Sequence, residues 1–285
     1  MKTDLVYLVF GKNLKNHYQC AFSCLSFLAK ASEDIGKVYI VTDNSQFYSF
    51  FGERICVVDV DEKTLLEWQG AYSFFWRVKI KALAHVAQLG GQNLLYLDSD
   101  TILYSALQLN EGAYMHQMEG QLKFLRSKTT DIMWSQVRGK TFAGITIKEQ
   151  HTMWNAGVIY LPNDKKEQIL NAAIALCDAM CAEKVTPRLI EQYAFSVACM
   201  EHAKLNEAKH FIAHYWSSKE IWNAEITAFF TRAFLGNYTL AETIQAFKDF
   251  DLTKVPVHSK IKNTNIRLKR QVDKFFPPNF EFIKK

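Results

Sequence analysis

The sequence predicts one α/β domain with a doubly wound, mostly parallel β-sheet covered by helices. Apolar runs of strand length alternate with amphipathic helical segments, and several runs end in Asp, Asn or Thr. The 285 residues are 49% hydrophobic and 14% aromatic, which suffices for a sizeable core. Ligands bind beyond the carboxyl ends of the strands in such sheets, so the polar strand ends are candidate site positions.

The first three strands are predicted at 5–10, 37–42 and 55–60, with a helix at 17–31 between the first two. Polar and flexible residues follow the first and second strands, where they would line one mouth of the crevice. Ordinary loop-capping roles are the alternative for them. These residues are Phe10, Gly11, Asn13, Thr42 and Asp43.

A helix predicted at 71–89 carries a lysine on its apolar side. At 100° per residue, Phe75 and Val78 share one stripe with later apolar residues, and Lys79 falls inside that stripe. A charge on a buried face needs an anionic partner, either a substrate group or the acidic pair that follows at 98–100. Extension of the ammonium group to solvent is the alternative.

The next strand, predicted at 94–98, ends in two carboxylates, Asp98 and Asp100. In an extended chain both would project to the same side, with Ser99 turned away. Burial and mutual repulsion would raise their pKa values unless a cation compensates, and a hard divalent cation is the usual compensation. A solvated turn is the alternative.

The clearest strand of the second half is predicted at 153–162, after possible strands at 112–118 and 141–148. It opens on Asn155, Ala156 and Gly157. Glycine allows a ligand to approach the backbone closely, and asparagine offers both a donor and an acceptor. A simple strand-opening turn is the alternative.

The helix predicted at 186–202 is apolar nearly all round, so Glu191 and Gln192 are unusual in it. A buried carboxylate needs a hydrogen-bond partner or has a raised pKa, and either property suits a role toward a substrate hydroxyl. Hydrogen bonding to the backbone, with no catalytic role, is the alternative.

A short strand predicted at 211–213 precedes His214, with Lys219 five residues later. Neutral imidazole can complete a carboxylate-rich Mn²⁺ site, and a lysine can bind phosphate. A structural histidine is the alternative, and His258 is a rival for the same role.

The net charge of +5 is concentrated in residues 254–285, where nine Lys/Arg stand against two acidic residues and give +7. Four phenylalanines accompany this charge, a combination that suits an anionic membrane surface. A solvated terminal face is the alternative, and no signature of a nucleic-acid reader is found.

The six cysteines lie in apolar surroundings, which favours reduced thiols. Zinc binding by the C-x3-C pairs Cys20/Cys24 and Cys177/Cys181 is the alternative, but no histidine lies nearby in a recognisable ligand spacing. The N-terminal residues lack a signal-peptide pattern, and no apolar run is long enough to span a bilayer. We therefore expect a cytoplasmic protein, peripheral on the inner membrane surface if the tail docks there.

Five segments of the chain resemble GT-A type nucleotide-sugar glycosyltransferases, in the glycogenin-like and lipopolysaccharide-galactosyltransferase-like branch. LLYLDSDTIL is similar to the D-x-D strand, and MWNAGVIYLP is similar to the N-[AS]-G-[VI] strand. FFWRVKIKAL resembles the lysine-bearing helix, and EQYAFSVA resembles the acceptor-side helix. FIAHYWSSK resembles the terminal histidine-to-lysine segment, but it is shorter than H-x-x-G-x-x-K-P-W and lacks the glycine and Pro-Trp.

The resemblance implies a single GT-A (Rossmann-like) domain at 1–253, with a mixed, mostly parallel sheet, and a basic extension at 254–285. It implies transfer of a sugar from a nucleoside-diphosphate sugar, with UDP expected, to a glycan or lipid-linked acceptor, with retention of configuration. An inverting reaction would use Glu191 as the base. A haloacid-dehalogenase-like phosphatase and a non-catalytic nucleotide-sugar-binding module are the alternatives.

The implied site residues fall into three groups. The ligands of Mn²⁺ or Mg²⁺ would be Asp98, Asp100 and His214. The acceptor-side catalytic residues would be Glu191 and Gln192, beside the two aspartates. The donor-binding residues would be Phe10, Gly11, Thr42, Asp43, Lys79, Asn155, Ala156, Gly157 and Lys219.

Overall fold

The computed structural model describes residues 1–125, 127–258, 268, 271–272 and 274–276. Its strands are β1 (Thr3–Val9), β2 (Ile35–Thr42), β3 (Cys56–Asp59), β4 (Asn93–Leu97), β5 (Thr101–Leu103), β6 (Ala113–Met115), β7 (Met118–Gly120), β8 (Thr141–Phe142), β9 (Ile145–Thr146), β10 (Met153–Trp154), β11 (Val158–Leu161), β12 (Leu205–Glu207) and β13 (Ile212–His214). Its α-helices are α1 (Leu14–Lys30), α2 (Glu62–Gln69), α3 (Arg77–Leu89), α4 (Lys128–Val137), α5 (Lys166–Ala182), α6 (Ile190–His202), α7 (Lys219–Leu235) and α8 (Leu240–Lys248).

The main sheet has seven strands in the order β12-β6-β11-β4-β1-β2-β3. Strands β4, β1, β2 and β3 are parallel, whereas β11 runs antiparallel between β4 and β6. The predicted α/β class with a mixed, mostly parallel sheet is therefore confirmed. The carboxyl ends of β1, β2 and β4 meet at one edge, as expected for parallel neighbours.

Two hydrophobic cores lie on the two faces of this sheet. Alternate residues of β1 point to opposite faces, so Leu5 and Tyr7 join one core and Val6 the other. Helices α3, α5 and α6 contribute to the core that contains Val6, and α1, α7 and α8 to the core that contains Leu5. All six cysteines are free thiols, as predicted.

The helix predicted at 71–89 begins only at Arg77, so this part of the prediction is wrong. Gly70 and Ser73 have φ angles of 71° and 48°, and these left-handed residues interrupt any helix. Phe75 is consequently 53% exposed and not part of a buried stripe. The Arg77 side chain holds the helix start by donating to both carboxylate oxygens of Asp178 in α5, at 2.6 and 2.9 Å.

Two short ribbons leave the main sheet near its polar edge. Strand β5 follows β4 directly but pairs with β13, and β7 pairs with β10 just before β11 begins. The possible strand at 141–148 is a small hairpin of β8 and β9. No helix in the described part of the chain combines the length and apolarity that crossing a bilayer requires.

Candidate functional site

The two aspartates lie in a turn between β4 and β5. The extended chain that the sequence analysis assumed for them is therefore wrong. The turn is closed by the Thr101 hydroxyl, which donates to the Asp98 carbonyl at 2.8 Å. On its outer side the Asp98 amide donates to the Gly157 carbonyl, also at 2.8 Å. Asp98 and Asp100 therefore lie on one side, as predicted, but a turn places them there and not the alternation of an extended strand.

His214 completes a compact group with these carboxylates. It is the last residue of β13 and pairs in register with Thr101, so the ribbon carries it to the acidic turn. Its Nε2 lies 3.4 Å from Asp100 Oδ2 and 3.8 Å from Asp98 Oδ2. Ligand atoms of Asp98, Asp100 and His214 all lie within 4.8 Å of one another, the arrangement that a metal ion requires, and no other such group is found among the described residues.

The Asn155–Gly157 loop holds His214 in this position. Asn155 Oδ1 accepts from the Gly157 amide and from His214 Nδ1, both at 3.0 Å. Because an amide oxygen only accepts, His214 Nδ1 carries a proton, and Nε2 is the ring nitrogen that faces the aspartates. A Cβ added at Gly157 would overlap the imidazole ring, so glycine makes room for His214.

Lys79 is buried against two carboxylates, as its position on the apolar side of α3 predicts. Its Nζ lies 3.5 Å from Asp98 Oδ1 and 3.2 Å from Glu191 Oε1, and it donates to the Ala156 carbonyl at 3.2 Å. Burial opposes the charged ammonium, but Asp98 and Glu191 outweigh it and raise the pKa of Lys79. Burial and the nearby Asp98 also raise the pKa of Glu191, despite Lys79.

Lys219, the first residue of α7, approaches the site from the opposite side. Its Nζ lies 2.9 Å from Asp100 Oδ2, and its side chain is 46% exposed. Burial by itself would raise the pKa of the Asp100 carboxyl, but His214 and Lys219 beside it hold that pKa well below its ordinary value. Lys219 is therefore both paired with Asp100 and accessible to an anionic ligand.

The donor residues predicted after β1 and β2 form a second group at the same sheet edge. The Gly11 amide donates to Asp43 Oδ1 at 2.9 Å, and the Gly11 carbonyl is held by His17 Nε2 at 2.7 Å. Thr42 is fully buried, and its hydroxyl accepts from the Asn44 amide. Within the described residues, this group and the neighbouring Phe10 make no hydrogen bond to the acidic turn.

Two residues that sequence reasoning missed contact the site. Tyr96 donates to Asp98 Oδ1 at 2.7 Å. Because Tyr96 lies two residues before Asp98, strand alternation indicates that both side chains are on the same face. Glu119 accepts from Asn155 Nδ2 at 3.3 Å and from Gln192 Nε2 at 3.2 Å. The pairing of β7 with β10 brings Glu119 there, and no sequence pattern indicates that pairing.

The donor set of the acidic turn fits a hard divalent cation. Two carboxylates and a neutral imidazole suit Mn²⁺, and carboxylates suit Mg²⁺. His214 Nε2 faces carboxylate oxygens of both aspartates, and a metal cation or a proton between these atoms would make the contact attractive. Asp100 Oδ2 is also buried without a well-aligned hydrogen bond from any described residue, although Lys219 is near. His258 lies outside this group, with its Nδ1 3.2 Å from Ser217 Oγ.

Comparisons of the chain with protein-family models and with curated proteins find no match. The geometry of the site thus carries the functional argument. It brings together Lys79, Asp98, Asp100, Ala156, Gly157, Glu191, Asn155, His214 and Lys219. It leaves Gln192 at the rim, bound to Glu119, and the residues after β1 and β2 in their own group.

We predict that Gly157→Ala destabilises the protein by about 1–3 kcal/mol, because the added methyl group must displace the His214 ring. Urea unfolding provides the measurement. Gly91→Ala is the matched control, since a Cβ there meets open space. In a His214→Ala background the Gly157→Ala cost should largely vanish. An equal cost in both backgrounds would contradict the proposed contact.

We also predict a pH signature for Asp100. A carboxyl whose pKa is lowered by folding stabilises the protein above its ordinary pKa of 3.8, and this contribution is lost as pH falls through the lower folded-state pKa. The difference in melting temperature between wild type and Asp100→Asn should therefore shrink from about pH 5 to about pH 3 in EDTA. The same series on Asp59→Asn, which removes an exposed carboxylate at a strand end, provides the matched control. A difference that grows toward acid would refute the prediction.

Proposed function

We propose that the protein is a metal-dependent glycosyltransferase that moves a sugar from a nucleoside-diphosphate sugar, UDP-linked in our expectation, to a hydroxyl acceptor. The observation that carries the proposal is the convergence of Asp98, Asp100 and His214 between two lysines at the polar edge of an α/β sheet. A diphosphate leaving group needs this combination of oxygen-rich metal ligands and nearby cations. Resemblance of five sequence segments to the GT-A family supports the same conclusion.

In this proposal the acidic turn and His214 bind the metal ion, and the two lysines contact the donor. Asp98 Oδ2, Asp100 Oδ2 and His214 Nε2 would hold Mn²⁺ or Mg²⁺, which when bound neutralises charge developing on the diphosphate. Because the Lys219 side chain is 46% exposed, its ammonium group could release Asp100 and bind a phosphate oxygen of the donor. Lys79 contacts and orients Asp98 and Glu191, and it would present one cation to the buried side of the donor.

Glu191 and Gln192 mark the acceptor side, at the start of α6. Glu191 is buried, and its Oε1 is held by Lys79, which disfavours proton transfer from an acceptor to that oxygen. This arrangement supports a retaining reaction, in which no separate base is needed. If the anomeric configuration of the product were inverted, Glu191 would be the base.

The first test measures the melting temperature against UDP-, GDP-, CMP- and dTDP-sugars, with and without Mn²⁺. A donor at a hundredfold excess over its dissociation constant stabilises the folded state by about 2.7 kcal/mol. We expect one nucleotide class to stabilise the wild type only with metal, and Asp98→Asn/Asp100→Asn to lose this effect. Asp34→Asn/Asp59→Asn, which removes two exposed carboxylates, should keep it.

Other outcomes separate the alternatives. Hydrolysis of simple phosphoesters without any nucleotide effect would assign the acidic pair to a phosphatase. Donor binding without either transfer or slow donor hydrolysis would indicate a nucleotide-sugar-binding module. Absence of both binding and hydrolysis would overturn the proposed function.

We further propose that the C-terminal tail binds an anionic membrane surface, where a lipid-linked acceptor would be presented. Residues 259–285 contain eight Lys/Arg and two acidic residues, a charge of +6. The described tail residues Leu268, Val272, Phe275 and Phe276 are all exposed. Cationic charge with exposed apolar side chains is the combination that binds anionic lipid.

The tail proposal predicts salt-sensitive co-sedimentation with phosphatidylserine vesicles, but not with phosphatidylcholine vesicles. Removal of residues 259–285 should abolish it, because each basic residue contributes about 1 kcal/mol near the lipid. This truncation keeps Val255, which is buried in the core, and Pro256, whose carbonyl accepts from Trp222. Undiminished binding of the truncated protein would refute the proposal.

A further inference from the structure

The exposed side chain of Glu119 joins two residues from different parts of the site. Its Oε1 accepts from Asn155 Nδ2 at 3.3 Å, and its Oε2 accepts from Gln192 Nε2 at 3.2 Å. Strand β7 carries Glu119 and pairs with β10, which ends immediately before Asn155, whereas Gln192 lies in α6. No described residue forms an ion pair with the Glu119 carboxylate. Both of its oxygens are thus used to hold side-chain amide groups.

Asn155 connects this carboxylate to the proposed metal ligand His214. Asn155 Oδ1 accepts from His214 Nδ1 and from the Gly157 amide, both at 3.0 Å, while its Nδ2 donates to Glu119. A reversed side-chain amide would place its NH₂ group against two donors and its oxygen against a carboxylate, so all three partners select one orientation. The backbone is held as well, because the Asn155 amide donates to the Gln117 carbonyl at 2.9 Å. Outer hydrogen bonds of this kind orient a metal-binding imidazole.

The same carboxylate orients Gln192, which lies next to Glu191 at the start of α6. Because Gln192 Nε2 donates to Glu119, its amide oxygen Oε1 faces away from that carboxylate, and no described residue donates to this oxygen. Gln192 is partly exposed, so its Oε1 is an acceptor available to a hydroxyl group. The neighbouring Glu191 differs, because Lys79 holds its Oε1 at 3.2 Å.

We propose that Glu119 is a positioning residue that aligns His214, through Asn155, with the acceptor-side oxygen of Gln192. A carboxylate suits this role because both of its oxygens accept, so one side chain can hold two amide groups. Glu119→Gln leaves one accepting and one donating group, so one of the two partner amides would have to turn over. Asn155 has two further partners, and Gln192 is therefore the residue that turns. The role toward the acceptor rests on the proposed transferase function, whereas the hydrogen bonds to His214 stand without it.

The first experiment titrates the full-length protein with Mn²⁺, alone and then with excess UDP, and measures free Mn²⁺ by electron paramagnetic resonance. Glu119→Gln and Glu119→Ala remove the same charge, but only Glu119→Gln can still accept from Asn155. We expect Glu119→Ala to bind Mn²⁺ about threefold to tenfold more weakly than Glu119→Gln, because the loss reaches the metal-binding imidazole only through Asn155. Glu111→Ala removes an exposed carboxylate that makes no hydrogen bond to a described residue, and it should bind Mn²⁺ like wild type.

The second experiment measures hydrolysis of UDP-glucose and UDP-galactose at saturating Mn²⁺, with water in place of the acceptor. Both Glu119 variants should lower kcat about tenfold, the equivalent of one hydrogen bond, because Gln192 Oε1 is no longer held in place. The donor KM should stay unchanged, since neither variant alters a proposed donor-binding residue. A loss of stability alone would lower the melting temperature without producing this difference between kcat and KM.

The outcomes separate this inference from the proposed function. Equal Mn²⁺ affinities in Glu119→Gln and Glu119→Ala would overturn the link to His214, and an unchanged kcat would overturn the link to Gln192. Both results leave the transferase proposal intact. A wild type that binds Mn²⁺ but hydrolyses no donor would remove the role of Gln192, while the Mn²⁺ comparison would still decide the role toward His214. Absence of Mn²⁺ binding to the wild type would overturn both proposals. Melting temperatures without ligand identify any variant that fails to fold.

Discussion

The rest of the site depends on the repulsion among three carboxylates that the fold crowds at one sheet edge. Burial penalises the charged forms of Asp100 and Glu191, and Asp98 lies between them. Isolated buried charges cost several kcal/mol each, so the arrangement needs cations within contact distance. The buried Lys79 forms ion pairs with Asp98 and Glu191, and the partly exposed Lys219 forms an ion pair with Asp100.

The two lysines differ in their exposure to solvent, and this difference bears on what each can bind. Lys79 is 12% exposed and fixed by three contacts, so it acts as a permanent structural cation. Lys219 is largely accessible and shares Asp100 with His214. A fixed cation compensates the buried carboxylates permanently, whereas an accessible cation can also pair with an anion from solution. Buried ion pairs contribute little to net stability, which suits a role in binding.

The Asn155–Gly157 loop couples the separate parts of the site. Asn155 fixes the His214 tautomer, the Ala156 carbonyl accepts from Lys79, and the Gly157 carbonyl accepts from the Asp98 amide. The same asparagine also contacts Glu119, which in turn binds Gln192. One three-residue turn thus orients the histidine, a buried lysine and the acidic turn, which explains why its sequence pattern is informative.

Sequence periodicity by itself determined the sheet class, the burial of Lys79 and the order of the polar strand ends, because these follow from contacts close along the chain. The start of helix α3 was nevertheless predicted too early. Hydrophobic spacing does not reveal the left-handed backbone at Gly70 and Ser73, which prevents a helix before Arg77. Only the tertiary structure decided that Glu191 pairs with Lys79, that His214 joins Asp98 and Asp100, and that Glu119 and His116 belong near the site. Those contacts join helix α3 to α6, β5 to β13 and β7 to β10, and the energy that selects them comes from packing between segments more than thirty residues apart.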